Sequence, residues 1–279
     1  MRLIDVRHLG RERVIGCWEV DGTLVDPGPE SSLQTLFEGI GDLTPRAILL
    51  THIHLDHAAA TGALVERWPD LHVYVHARGA RHLVDPSRLI ASAERLYGDR
   101  MGELWGRIVP VPERNVTALE GGERVLGMEV GYTPGHASHH VSYLHGDSGT
   151  AFVGDVAGCR IPPTQVTIAP TPPPDIDIER WEASLDLIES WRPARLALTH
   201  FGTVEEPAAQ LEAVRRRLRE EAESAAGLDG PAYTADLIAR TRARLAAEGH
   251  GAETFEALDQ AAPLVNQWAG LDRYLSRER

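Results

Sequence analysis

Apolar and polar residues alternate across residues 13–29, on both sides of Asp21-Gly22. Asp-Gly between two alternating runs signals a β-hairpin, because both residue types accept the positive φ of a tight turn. Residues 31–39 read as a short helix. RAILL (46–50) is too short and too aliphatic for a surface helix and reads as a buried strand. Helical periodicity then runs over 57–68 and stops before Pro69, and HVYVHA (72–77) reads as another strand. Strand, helix, strand, helix in this order predicts a layered α/β arrangement. Residues 87–107 are helical in character with a break near Gly98. After Pro110 the chain becomes glycine-punctuated and strand-like over 122–156. A proline-rich stretch at 162–175 predicts an extended, semi-rigid loop. A helix over 177–191, acidic near its start, and a short apolar strand at 194–200 follow. From Pro207 onward three helical segments are expected, at 207–226, 233–249 and 252–278, separated by glycine-containing breaks.

Composition narrows this picture in three ways. With 279 residues, 43% of them hydrophobic and 25% charged, the chain can build one large domain, or one domain with an appendage. The formal net charge of -13 argues against a nucleic-acid groove or an anionic membrane surface, since both need clustered cations. There is no lysine, so all 28 cations are arginine and no lysine serves as a Schiff base or general base. The two cysteines, Cys17 and Cys159, make neither a disulfide framework nor a cysteine-only metal site, and are expected as buried thiols. The first residues lack a continuous apolar stretch of signal-peptide type, and no window is apolar for eighteen residues or more. A soluble cytoplasmic protein acting on a small molecule is the expectation. A homodimer stays open, because the stripe Leu264, Val265, Trp268, Leu271 and Leu275 fits either its own domain or a second subunit.

The chemistry concentrates where the strand at 46–50 ends. THIHLDH places His52, His54, Asp56 and His57 within six positions. Residues i and i+2 of an extended segment point together, so two imidazoles project from the strand end, with a carboxylate and a third imidazole at the following turn. That is a ready set of metal ligands. Downstream the same grammar recurs: His136 after a strand-like run and a Pro-Gly turn, Asp155 after TAFVG, and His200 after LALT. In α/β sheets, sites form outside the carboxyl ends of strands. Seven ligand-type side chains are thereby expected to share one cleft.

H-x-H-x-D-H at 52–57, followed by His136, Asp155 and His200 in these contexts, resembles the metallo-β-lactamase superfamily over roughly residues 13–205. The resemblance implies a four-layer αββα sandwich with a metal site along one edge of its two sheets. It implies a catalytic domain at 1–205, with residues 87–107 as a helical insertion, and a helical C-terminal extension at 206–279. By the same resemblance His52, His54 and His136 hold a first divalent metal, Asp56, His57 and His200 hold a second, and Asp155 bridges them. Asp56 also orients the nucleophile and shuttles a proton. Zinc is the first choice of metal for such donors, with iron and manganese open. Asp26, in LVDPG, sits where the family often has a carboxylate behind the ligands; a plain turn aspartate is the other reading. His140 either lines the cleft or has a polar structural role.

The resemblance thus implies a metal-dependent hydrolase that cleaves a small acyl substrate (a thioester, lactone or related ester), similar to glyoxalase II. A phosphodiesterase and a mononuclear-iron oxidoreductase of the persulfide dioxygenase type are the alternatives. Residues 87–107 carry Tyr97 and Trp105 among other apolar side chains, and form either a lid over the cleft, a helix pair packed on the core, or a dimer contact.

Overall fold

The computed structural model describes residues 1–277; residue 278, the expected end of the last helical segment, lies outside the described residues. Among the described residues, twelve strands form two six-stranded sheets. The first holds, in order, β1 (Arg2–Asp5), β2 (Gly16–Val20), β3 (Thr23–Val25), β4 (Ala47–Leu49), β5 (His72–His76) and β6 (Val116–Leu119). The second holds β7 (Arg124–Val125), β8 (Met128–Tyr132), β9 (Val141–His145), β10 (Thr150–Phe152), β11 (Arg195–Leu198) and β12 (Gly202–Val204), again adjacent in chain order. The helices are α1 (Leu33–Ile40), α2 (Leu55–Ala58), α3 (Thr61–Arg67), α4 (Ala77–Val84), α5 (Ser87–Tyr97), α6 (Met101–Trp105) and α7 (Ile178–Ser190). A C-terminal group follows: α8 (Pro207–Gly227), α9 (Gly230–Ala247), α10 (Ala252–Ala261) and α11 (Gln267–Arg277).

The continuous apolar runs of β4 and β11 are explained by burial on both faces. Leu49 and Ala197 point between the sheets, where they join Trp18, Val20, Val130, Tyr143 and Phe152. Their neighbours Ile48, Leu196 and Leu198 point the other way, into the core under the helices. The fold is therefore the expected mixed α/β arrangement of two sheets with helices and a helical C-terminal part. The hairpin of β2 and β3 turns at Asp21 and Gly22, both with positive φ.

Three local readings change. The single helix expected over 57–68 is two, α2 and α3. At the break, the Ala60 N–H donates to the Gly28 carbonyl and the Gly28 N–H to the His57 carbonyl, which takes both groups out of one continuous helical ladder. The third C-terminal segment is likewise two helices, α10 and α11. Pro263 has no N–H and holds Ala262 extended, at φ -140° and ψ 80°. Strands β1, β6 and β12 carry three or four residues each and too few alternations to register as a pattern.

The C-terminal helices share the core of the sheets. Leu211, Val214 and Leu218 of α8, Tyr233 and Leu237 of α9, Leu258 of α10 and Leu271 of α11 belong to one apolar cluster with Trp181, Leu185 and Ile188 of α7. Of the apolar stripe at 264–275, Leu264 and Leu271 are buried within the chain, while Val265 is 69% exposed. Both cysteines are buried and unbridged. Among the described residues, no helix is long and apolar enough to cross a membrane.

Candidate metal centre

Strand direction explains why distant residues meet. β3 and β4 are parallel, as are β10 and β11, and β8 runs with β10 because both are antiparallel to β9. Asp26 directly follows β3; His52 and His54 lie in the loop after β4, with Asp56 and His57 in α2. His136 follows β8, Asp155 follows β10 and His200 follows β11. Each group thus leaves the carboxyl end of its strand. Two glycines bring the loops close. A Cβ on Gly135, at φ +135°, would stand 2.3 Å from the Trp181 backbone, and one on Gly154, at φ +45°, would stand 2.5 Å from Thr51 Oγ1.

The donor atoms of all seven side chains converge. His54 Nδ1 lies 3.0 Å from His52 Nε2 and 2.9 Å from His136 Nε2. Asp56 Oδ2 lies 3.3 Å from His200 Nε2 and 3.8 Å from His57 Nε2. Between these groups sits Asp155, with Oδ1 3.1 Å from His57 Nε2 and 3.5 Å from His200 Nε2, and Oδ2 3.5 Å from His136 Nε2. Within each of the triads His52, His54, His136 and Asp56, His57, His200, the donor atoms lie within 4.8 Å of one another.

The outward-facing ring atoms dictate which nitrogen carries the proton. His57 Nδ1 donates to Asp26 Oδ2 at 2.8 Å, His136 Nδ1 to the Pro170 carbonyl at 2.9 Å and His200 Nδ1 to the Val14 carbonyl at 2.7 Å. His52 Nδ1 donates to Thr51 Oγ1 at 3.1 Å, since that hydroxyl is itself donating to Asp26. Each neutral ring then presents an Nε2 lone pair inward, the form that ligates a cation. In that tautomer the buried His57 Nε2, His200 Nε2 and Asp155 Oδ1 have no hydrogen bond between them, since none of the three carries a proton. Buried polar atoms left this way are costly unless something binds them. Five imidazoles and two carboxylates fit a divalent transition metal at each triad.

Without a cation the electrostatics divide the rings into two groups. Burial pushes His52 well below the ordinary imidazole range and, with nearby His136, lowers His54 to about 4. Burial also lowers His136, His139 and His140. Burial works against protonated His57 and His200, yet Asp155 and Asp56 outweigh it and raise both. Burial would raise Asp56 and Asp155, but the positive charge of His57, joined by that of His200, holds both carboxyls down.

Asp26 is the keystone behind the cluster. It is fully buried, and Oδ1 accepts from Thr51 N at 2.8 Å. Oδ2 accepts from Thr51 Oγ1 at 2.7 Å, His57 Nδ1 at 2.8 Å and Thr199 Oγ1 at 2.9 Å. His140 stands behind His52, with ring centroids 5.0 Å apart, hydrogen-bonded to Thr133 Oγ1 and off the cavity wall. A cavity of about 890 Å³ opens from the cluster. His54, Asp56, His136 and Asp155 form one end; Leu89, Ala93, Leu96 and Tyr97 of α5 form an apolar wall; the prolines at 170 and 172–174 face it. Trp105, expected at this wall beside Tyr97, instead packs under it, stacked on His8 at 5.4 Å and edge-on to Tyr97 at 5.1 Å. It is drawn there by the satellite core of Leu55, Ala59 and Leu104. Two contributions escape sequence reasoning: His139 lines the cavity, and so do Pro263, Asn266 and Gln267 before and within α11. His139 carries a signal, being one of three histidines within five positions; the α11 residues carry none.

Residues 20–200 match the model of the metallo-beta-lactamase superfamily. The chain is 31% identical over 195 residues to the metallo-beta-lactamase fold-containing protein ST1585 of Sulfurisphaera tokodaii, covering 67% of this chain and 71% of that one. The crystal structure of ST1585, described as an archaeal metallo-beta-lactamase superfamily protein, superposes with a TM-score of 0.67 over 93% of each chain at 25% identity. Hydroxyacylglutathione hydrolase of Legionella pneumophila is 31% identical over 145 residues, 48% of this chain and 43% of that one, so less than half of the hydrolase is spanned. The structure of TTHA1623 in a di-iron-bound form is 31% identical, covering 71% of this chain and 92% of that one, with a TM-score of 0.53.

This geometry has two measurable outcomes. Asp26→Ala strips the acceptor from four buried donors and is expected to destabilise the protein by about 3–5 kcal/mol in urea unfolding, as breaking a buried ionic network does; a loss within experimental error would remove Asp26 from its keystone role. For chelator-treated protein the lowered imidazoles decide the acid side. Below about pH 6.5 the unfolded chain gains protons that folded His52, His54, His136, His139 and His140 refuse, so stability falls on acidification, for His54 down to about pH 4. His57 and His200 oppose this: their contribution is full below about pH 6.5 and is lost as pH rises through their raised values. Burial also lowers His8, His76 and His82, so with eight imidazoles against two the thermal midpoint should drop between neutral pH and about pH 5; a midpoint that rises over this interval would contradict the neutral burial of these rings.

Proposed function

The chain belongs to the metallo-beta-lactamase superfamily, and from its character as a metallo-hydrolase we propose that it cleaves a small acyl substrate, a thioester, lactone or related ester, at a binuclear zinc centre. His52, His54 and His136 would hold one ion, Asp56, His57 and His200 the other, with Asp155 shared between them. The observation that carries the reading is this pair of donor triads, joined through one carboxylate, at the end of a substrate-sized cavity. When bound, such cations supply Lewis acidity, polarise an acyl carbonyl and lower the pKa of a water from about 15.7 toward about 7.

The chain's own residues supply the rest. Asp56 is the most exposed carboxylate of the cluster, with its side chain 22% accessible, and it faces the cavity. That exposure supports a role in orienting the attacking water and passing a proton to the leaving group. Asp26 and the carbonyls of Val14 and Pro170 hold three imidazole rings in their ligating tautomer. The wall of Leu89, Ala93, Leu96 and Tyr97 accepts the acyl chain and keeps water from it. Similarity to hydroxyacylglutathione hydrolases supports a thioester. Similarity to a di-iron-bound protein supports iron as the second choice of metal.

Elemental analysis of the purified protein is expected to find two divalent ions per chain. Chelation should abolish hydrolysis across a panel of thioesters, lactones, β-lactams and phosphodiesters, and Asp56→Asn should lower kcat by about 10²–10⁴. Full activity in the chelated protein would sink the reading, and one iron per chain with oxygen consumption would replace it by an oxidoreductase. Tyr97→Ala should raise KM for an octanoyl ester about tenfold, roughly the worth of one or two buried methylenes, and leave an acetyl ester unchanged. Equal effects on both esters would remove Tyr97 from the acyl wall.

A further inference from the structure

We propose that the substrate carries an anionic group, a carboxylate or a phosphate, received by Arg78, Arg81 and Arg88 at the mouth of the cavity. The inference rests on the acyl-hydrolase reading and adds the class of substrate. Arg78 and Arg81 stand three residues apart on α4, and so share one side of that helix. Arg88 is the second residue of α5. All three line the cavity that holds His54 and Asp56, and all three are exposed.

Their partners make the arrangement informative. Nearby, Arg100 pairs with Glu103, and Arg107 with Glu30 and Glu66. Among the described residues no carboxylate lies within 4.0 Å of the guanidinium of Arg78, Arg81 or Arg88, and Arg81 donates only to the neutral His82 ring, at 3.2 Å. The proton affinity of His82 is lowered by burial and then by Arg81 and Arg88, so these cations act on the same small region. Besides Asp56 and Asp155 of the donor cluster, two carboxylates share the cavity wall. Asp175 is engaged by the Ser138 hydroxyl, and Glu120 and Arg78 act with opposite sign on His76. Asp85 accepts from Ser87 N at the start of α5. Three guanidiniums without an ion-pair partner thus stand at the mouth of the cavity, in a protein whose formal net charge is -13. Planar guanidinium forks suit carboxylate and phosphate oxygens. The apolar wall of α5 then spans the distance between the anion and the reacting carbonyl.

Two matched pairs of probes test this on the metal-loaded full chain. Mono-para-nitrophenyl adipate against para-nitrophenyl hexanoate places a carboxylate on the acyl end. Hexanoyl-coenzyme A against S-hexanoyl-N-acetylcysteamine places phosphates on the leaving group. In the Arg78→Ala/Arg81→Ala double variant and in Arg88→Ala, KM for the anionic member of one pair should rise about tenfold, with kcat and the neutral member unchanged. The penalty should shrink at high ionic strength. Which pair responds identifies the source of the anion. Arg46→Ala, exposed and off the cavity, should leave every KM unchanged. Equal KM values for variant and parent on both anionic probes, or equal rises on neutral and anionic probes, would overturn the proposal. If the parent hydrolyses none of the four, the acyl-hydrolase reading has failed on its own. Calorimetry with adipate and with coenzyme A then decides the anion site: binding about tenfold weaker in the variants supports it, and unchanged binding overturns it.

Discussion

One buried carboxylate sets the geometry on which the rest of the site depends. Asp26 accepts hydrogen bonds from Thr51, just beyond β4 in the first sheet, and from Thr199, just beyond β11 in the second. An ionised group taken out of water is tolerated only when its lone pairs are occupied. Four donors do that here, and in satisfying Asp26 they clamp the ends of two sheets together. Further bonds across the same edge support the clamp: Gly16 N to the Thr199 carbonyl, Val141 N to the Thr51 carbonyl, and the Trp18 indole to the Leu198 carbonyl. His57 is oriented by the same oxygen, so the structural lock and the metal centre share one atom.

The cluster in front of that lock is unfavourable by itself. Crowded imidazoles repel one another when charged, and burial opposes charging them at all; two carboxylates rescue only His57 and His200. The sandwich bears this cost because its two apolar layers, between the sheets and beneath the helices, are extensive. A site that stores electrostatic conflict in its free state gains most from a cation that replaces the protons. Stability and metal affinity are therefore opposite sides of one arrangement.

The cavity is assembled from pieces that no short stretch of chain contains. The donor cluster supplies one end, α4 and α5 supply arginines and an apolar wall, the proline-rich loop faces that wall, and residues around the start of α11 close the far side. Gln267 links the last two pieces, because Thr171 N and Oγ1 both donate to its side-chain oxygen. The helical stretch at 87–107 serves two purposes at once. Its buried residues Trp105 and Leu104 build a small core against Leu55 and Ala59, while Tyr97 and Leu96 line the cavity.

Much of this is legible along the chain, for physical reasons. Alternation around Asp21-Gly22, the unbroken apolar runs at 47–50 and 196–198, and the periodicity of α7 and α8 reflect burial that each segment needs wherever it packs. The seven ligand-type residues stand out because imidazoles and carboxylates directly after apolar strands are too costly to be casual. Tertiary structure alone decides the rest. Short edge strands such as β1 and β12 exist only through their partners' hydrogen bonds. The break between α2 and α3 comes from Gly28, some thirty positions earlier. Trp105 turns from the cavity because a neighbouring core claims it, and His140 falls behind His52 because Thr133 holds its ring. Asp26 looks like any turn aspartate, since the four donors that give it its role come from two distant stretches, residues 51–57 and Thr199. A sequence displays what each residue costs to bury; only the folded chain shows which other residues meet that cost.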